Sequence, residues 1–153
     1  MMGLTGLFHL LPEVAAAETR SAKLAPPTGE PGPGVPPGDD YGFIEYYCTD
    51  RKCDCQRVLI TVLARSTGRT VATISHSFDP PAPGGPVAEQ TFLYPLGTQS
   101  KFAPAMLELF RDVVLDPPYA ARLRRHYRMV KELNRPNHPK LPPPRRRVRP
   151  KRG

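Results

Sequence analysis

Residues 56-QRVLITVLARSTGRTVATISHSF-78 read as two strands joined by a turn. Val58, Ile60 and Val62 alternate with Leu59, Thr61 and Leu63, the period-two pattern of a half-buried strand rich in β-branched side chains. The triplet 66-STG-68 carries the Gly that a positive-φ turn position prefers, and 69-RTVATISHSF-78 returns as a second strand. So short a connection favours an antiparallel pair over a crossover. Pairing around this turn predicts Arg65 opposite Thr70 and His76 opposite Leu59.

Working outward, 42-GFIEYYC-48 is aromatic and β-branched and reads as a further strand. The segment 88-AEQTFLYPL-96 reads as a fourth strand at the sheet edge, since Pro95 cannot donate to a central ladder. From Ser100 the period becomes helical. In 100-SKFAPAMLELFRDVVLD-116, Phe102, Met106, Leu109, Phe110 and Val113 recur at the spacing of one buried face, with Ser100 as N-cap. Asp116 followed by Pro117 and Pro118 ends this helix and caps the next, 118-PYAARLRRHYRMVKEL-133, which buries Tyr119, Leu123, Tyr127 and Val130. The expected class is α+β: a small antiparallel meander of three to four strands covered by two C-terminal helices.

Prolines set the limits of this domain. Of 21, six fall in 26–37, four in 80–86 and six between Pro136 and Pro150. Such segments bury little apolar surface and are expected to stay solvated. The chain therefore divides into an N-terminal extension with a Pro/Gly-rich linker (1–38), an α+β domain (39–135) and a disordered Arg/Pro-rich basic tail (136–153). The opening 1-MMGLTGLFHLLPEVAAAETR-20 lacks a basic residue before its apolar stretch, and His9 and Pro12 interrupt it, so it is a poor signal peptide. No window approaches the roughly 18 apolar residues of a membrane span. A cytoplasmic setting without membrane contact is expected.

All three cysteines fall within eight residues, as Cys48, Cys53 and Cys55 in the pattern C-x4-C-x-C. An odd, closely spaced set does not make a secreted disulfide framework. If Cys48 ends one strand and Cys55 opens the next, the three thiols converge on a hairpin loop, as structural zinc sites require. Zinc is the expected cofactor, and a core this small gains from such a staple. Three cysteines fall one ligand short. His76 is the first choice for the fourth, although the expected register holds it four residues from Cys55, roughly 13 Å at strand rise. Asp50, Asp54, a histidine of the tail or a second chain are the alternatives. Other readings of the cluster are a redox pair flanked by Arg51, Lys52 and Arg57, a nucleophile worked by His76, or three inert thiols. There is no phosphate loop, no G-x-S-x-G and no H-E-x-x-H, so the sequence argues against an enzyme.

Charge is segregated along the chain. Residues 1–116 carry 9 Lys+Arg against 13 Asp+Glu, and residues 117–153 carry 13 against the single acid Glu132, which sums to the net +8. Arg124, Arg128, Lys131 and Arg135 recur at i, i+4, i+7 and i+11, a stripe on the second helix. Beyond it, 140-KLPPPRRRVRPKRG-153 has seven basic residues in fourteen, with Arg145, Arg146 and Arg147 adjacent. Such an arm neutralises phosphates and releases counterions. Without interleaved aromatics it should contact nucleic-acid backbone, DNA or RNA, with weak sequence preference. The leading expectation is thus a small non-enzymatic, zinc-stapled binding protein that contacts nucleic acid through its last helix and tail. A module docking an acidic protein partner comes second, and a cysteine-based redox or hydrolytic enzyme third.

Overall fold

A computed structural model describes residues 3–50, 52–79 and 90–133 of the chain. A mixed α+β domain is seen, with one antiparallel sheet and helices packed on its inner face. The strands are β1 (Leu4–Gly6), β2 (Arg20–Leu24), β3 (Asp39–Cys48), β4 (Arg57–Ala64), β5 (Thr70–Ser77) and β6 (Thr91–Leu93). The helices are α1 (Leu7–Leu10), α2 (Pro12–Glu18), α3 (Ala103–Leu109), a π turn (Phe110–Val114) and α4 (Pro117–Leu133). The last four strands form the expected meander, and all pairings are antiparallel.

Alternation along β3 and β4 sends Tyr41, Phe43, Glu45 and Tyr47, then Val58, Ile60, Val62 and Ala64, to the inner face. There they meet Met106, Phe110 and Val114 of the first helical segment and Tyr119, Leu123, Tyr127 and Val130 of α4. Edge-to-face contacts such as Phe78–Tyr127 at 5.2 Å and Phe110–Tyr119 at 6.2 Å order this core. Both faces of β5 are buried, and residues 97–99 cover it at Thr73, whose hydroxyl donates to the Thr98 carbonyl at 3.0 Å and whose N–H donates to Gln99 Oε1 at 3.0 Å. A Cβ on Gly97 would come within 2.5 Å of the Thr73 side chain, so only glycine fits there. Asp116 caps α4 as expected, its Oδ1 accepting from the Tyr119 N–H at 2.9 Å.

Four expectations are corrected. Among the described residues the sheet has six strands, not three or four, because the segment before β3 contributes β1 and β2. Both pair with the outer edge of β3, β1 along 46–48 and β2 along 39–43. A ten-residue strand otherwise exposes a row of unpaired backbone groups, and these two short strands cover it. The same segment buries Leu7 and Ala15 in the core. The second correction is the register. Thr70 pairs with Leu63 rather than Arg65, a slip of two, and a bulge between Val62 and Leu63 that leaves Val71 unpaired returns one residue, so His76 lies opposite Val58 rather than Leu59. The third is Val113, which is 59% exposed while Val114 is buried. The i→i+5 bond from Leu115 N–H to Phe110 C=O widens the last turn, so the residue that returns to the core lies one position later. Last, Ser100 does not cap the helix directly, since α3 begins at Ala103 with Phe102 as its N-cap. Its Oγ instead accepts from Phe102 N–H at 3.0 Å and donates to the Val71 carbonyl at 2.8 Å.

Candidate metal centre

Cys48 is the last residue of β3, and Cys53 and Cys55 lie in the loop that leads to β4. The hairpin folds this loop back on itself, since Cys53 N–H bonds to the Asp50 carbonyl at 3.0 Å and Lys52 N–H to Asp50 Oδ1 at 2.9 Å. At its end Gln56 takes φ +52°, a left-handed conformation rare outside glycine and costing about 1–2 kcal/mol. The strain is held by both backbone groups of Gln56. Its N–H donates to the Tyr127 hydroxyl at 3.2 Å, and its carbonyl accepts from Phe78 N–H at 2.8 Å.

The outcome is that the three Sγ atoms lie within 4.8 Å of one another, each half-buried. Two thiolates on a tetrahedral zinc at 2.3 Å sit about 3.8 Å apart, so closing on an ion requires only a small inward movement. Soft thiolates in this number suit zinc or copper(I) rather than magnesium or calcium.

The α4 helix holds the loop from outside. Lys131 Nζ donates to the carbonyls of Cys53 at 2.9 Å, Cys48 at 3.2 Å and Asp50 at 3.4 Å, using all three ammonium donors. Its charge lies 5.3 Å from the Tyr127 ring. The Tyr127 hydroxyl donates in turn to Asp54 Oδ1 at 3.2 Å, which also accepts from Gln56 Nε2 at 2.6 Å. These bonds fix the backbone on either side of two cysteines, the support that metal ligands need for orientation.

His76 is placed elsewhere. It sits on β5, buried, with Nδ1 2.9 Å from Thr91 Oγ1 and its ring edge-on to Phe78 and Phe110. Burial, with the charges of Arg124 and Arg57, lowers its pKa to about 4, so the ring is neutral. Among the described residues the cluster brings together Cys48, Cys53 and Cys55 and does not include His76. Of the expected basic stripe, Lys131 clamps the cysteine loop and Arg124 donates to the Phe78 carbonyl at 2.9 Å. Arg124 and Arg128 line a groove of about 450 Å³ with Gln56, Phe78, Asp79 and Tyr127. Arg135, Arg145, Arg146 and Arg147 lie outside the described residues.

A second polar cluster lies under α4, and the sequence reading missed it. His126 is fully buried, with Nδ1 2.6 Å from Glu45 Oε1 and Nε2 2.7 Å from Glu18 Oε1. Glu45 Oε1 also accepts from the Tyr47 hydroxyl at 2.7 Å. An imidazole with a carboxylate at each nitrogen is held as the doubly protonated cation. Burial opposes that charge, but the hydrogen bonds and charges of Glu45 and Glu18 outweigh it and raise the pKa above 6.5. Arg125 pairs with the Glu18 carboxylate, and Arg122 donates to the Glu18 carbonyl at 3.2 Å. The N-terminal segment is thus fastened to α4 by three side chains, Arg122, Arg125 and His126, on two adjacent turns. Two signals of this existed: Glu45 falls on the inward alternation of β3, and His126 falls on the buried face of α4.

The chain matches no known family model, no curated protein and no solved structure. Among the described residues no helix is long and apolar enough to cross a membrane.

Proposed function

We propose that this protein is a small non-enzymatic binding protein whose β3–β4 loop takes up one zinc ion through Cys48, Cys53 and Cys55. The reading rests on the convergence of three Sγ atoms within 4.8 Å on a loop clamped from α4. Its chemistry is structural: binding energy from the ion is folding energy, tying the hairpin tip to the last helix. Titrating zinc into the intact protein against a chelating indicator should give one ion per chain. Cys53→Ser and Cys55→Ser should each weaken uptake severalfold or more. Equal uptake by the double Cys53→Ser, Cys55→Ser variant would refute the site.

The partner we propose is nucleic acid, contacted along its backbone by the exposed faces of Arg124 and Arg128 and by the basic residues beyond α4. Thirteen Lys+Arg against one acid in 117–153 support it, as does the arginine-lined groove beside α4. Deleting 140–153 removes seven positive charges. The slope of log affinity against log salt for duplex DNA or RNA should then flatten by several units. If the intact protein shows no binding at about 50 mM salt, where screening is weak, the nucleic-acid reading is refuted and the arm is a partner-docking or merely solubilising tail.

A further inference from the structure

The cysteine loop is placed for a second chemistry besides metal binding. Its three free thiols stand within 4.8 Å of one another, and each is half-buried, within reach of a small oxidant. A disulfide needs Cα atoms about 4.4–6.8 Å apart with their side chains facing, and the clamp from α4 favours one pair. The Lys131 ammonium bonds to the Cys53 carbonyl at 2.9 Å and to the Cys48 carbonyl at 3.2 Å. Two carbonyls that share one ammonium belong to backbones lying side by side. Cys53 and Cys55 are separated by a single residue, so a bond between them would close a small, strained ring. Cys55 also packs against the hydrophobic core.

We infer that Cys48 and Cys53 form a reversible disulfide when the chain meets a peroxide, and that this oxidation ejects the zinc ion. The inference rests on the three-thiolate site proposed above and regulates that site. The Cys53 thiolate, on the loop between the exposed Lys52 and Asp54, attacks one peroxide oxygen. The O–O bond breaks, hydroxide leaves and Cys53 carries a sulfenic acid. The Cys48 thiolate then attacks the Cys53 sulfur, the S–O bond breaks and a second hydroxide leaves. Two thiolates have lost two electrons, the peroxide has gained them, and two solvent protons turn the hydroxides into water. Cys55 alone remains as a thiolate ligand, so zinc departs as the free dication. Lys131 holds carbonyl oxygens and not sulfurs, so its clamp survives, and the loop exchanges a metal staple for a covalent one.

The test treats the intact, zinc-loaded chain with hydrogen peroxide and follows thiols, released zinc and the linkage formed. Titratable thiols should fall from three to one, with one zinc appearing on a chelating indicator for each disulfide. Zinc affinity of the oxidised chain should fall at least about 100-fold, since losing two ligands must exceed losing one outer-shell partner. Trypsin cuts after Arg51, Lys52 and Arg57, which separates Cys48 from the peptide 53-CDCQR-57. The disulfide should join those two peptides, persist in Cys55→Ser and vanish in Cys53→Ser. Dithiothreitol should restore both the three thiols and zinc uptake. Three thiols remaining after peroxide, a linkage confined to 53–57, or a linkage that survives Cys53→Ser would each overturn the inference. The zinc reading fails separately: a reduced chain that takes up no zinc refutes that site, while thiol count and peptide linkage in the metal-free chain still decide the disulfide.

Discussion

Replacing His126 by alanine removes the cation shared by Glu45 and Glu18 and leaves Glu45, 3% exposed, as a buried carboxylate without that cation and with the Tyr47 hydroxyl still donating to it. Breaking a buried pair from one side costs about 3–5 kcal/mol, a large part of the 5–15 kcal/mol that typically holds a domain together. For a domain of this size each kcal/mol moves the melting temperature by about 3–5 °C, so a fall of 10 °C or more is expected. The pH dependence gives an independent reading. The His126 pKa is raised in the folded state, so its contribution is complete below about 6.5 and is lost as pH rises through the folded value. Glu18 works in the opposite sense. Its hydrogen bond to His126, against some burial and aided by Arg125, lowers its pKa below 4.5. Its share is therefore present above 4.5 and lost as pH falls through the folded value. Thermal melts followed by near-ultraviolet circular dichroism from pH 4 to 10 should show the alkaline decline in the parent and not in His126→Ala. The double substitution Glu45→Leu, His126→Leu removes both buried charges, and it should recover much of the lost stability. A His126→Ala protein that melts within about 2 °C of the parent at pH 6, with the same alkaline limb, would refute the buried ion triad.

Three further outcomes are expected. Deleting residues 1–24 removes β1, β2, Leu7, Ala15 and Glu18 together. The loss of Leu7 burial alone is about 1.5–3 kcal/mol, and the bared β3 edge should make the protein aggregate during gel filtration; a monomeric, equally stable product would contradict the fold. His76, with its pKa lowered to about 4 chiefly by burial, makes the folded state lose stability as pH falls from 6.5 towards 4. The loss is about 3 kcal/mol at most, and denaturant titrations of His76→Gln should lack that limb. Lys131→Met removes the clamp on three loop carbonyls but no thiol. It should lower zinc affinity about 10–100-fold with the fold intact, whereas unchanged affinity would show that the loop holds its shape unaided.

The meander and the two-helix cover were legible because their residues alternate or recur with a clear period. The bulge was not, since Val62 and Leu63 are both apolar and a one-residue slip leaves the pattern unmarked. Leu4–Gly6 and Arg20–Leu24 carry no strand pattern of their own, and pairing to the open edge of β3 is what makes them strands. Val113 and Val114 are equivalent by composition, and only the π turn chooses between them. The cysteine cluster could be read directly from spacing on a predicted hairpin. Lys131 belonged by spacing to a basic stripe, but the position of the loop in space gives it three carbonyls as partners. Glu45 and His126 were marked as a polar pair only by their places on two inward faces.

The central claim is that zinc on Cys48, Cys53 and Cys55 stabilises the native chain, and thermal melting before and after metal removal tests it most directly. An ion present at about 100 times its dissociation constant contributes about 2.7 kcal/mol, which corresponds to roughly 10 °C here. Protein purified without chelator and loaded with one equivalent of zinc should lose about that much on treatment with a strong chelator under reducing conditions. Adding zinc back should restore it, and neither step should affect the Cys53→Ser, Cys55→Ser variant. Identical melting temperatures for the loaded, stripped and double-serine proteins, with no zinc retained on the column, would contradict the account.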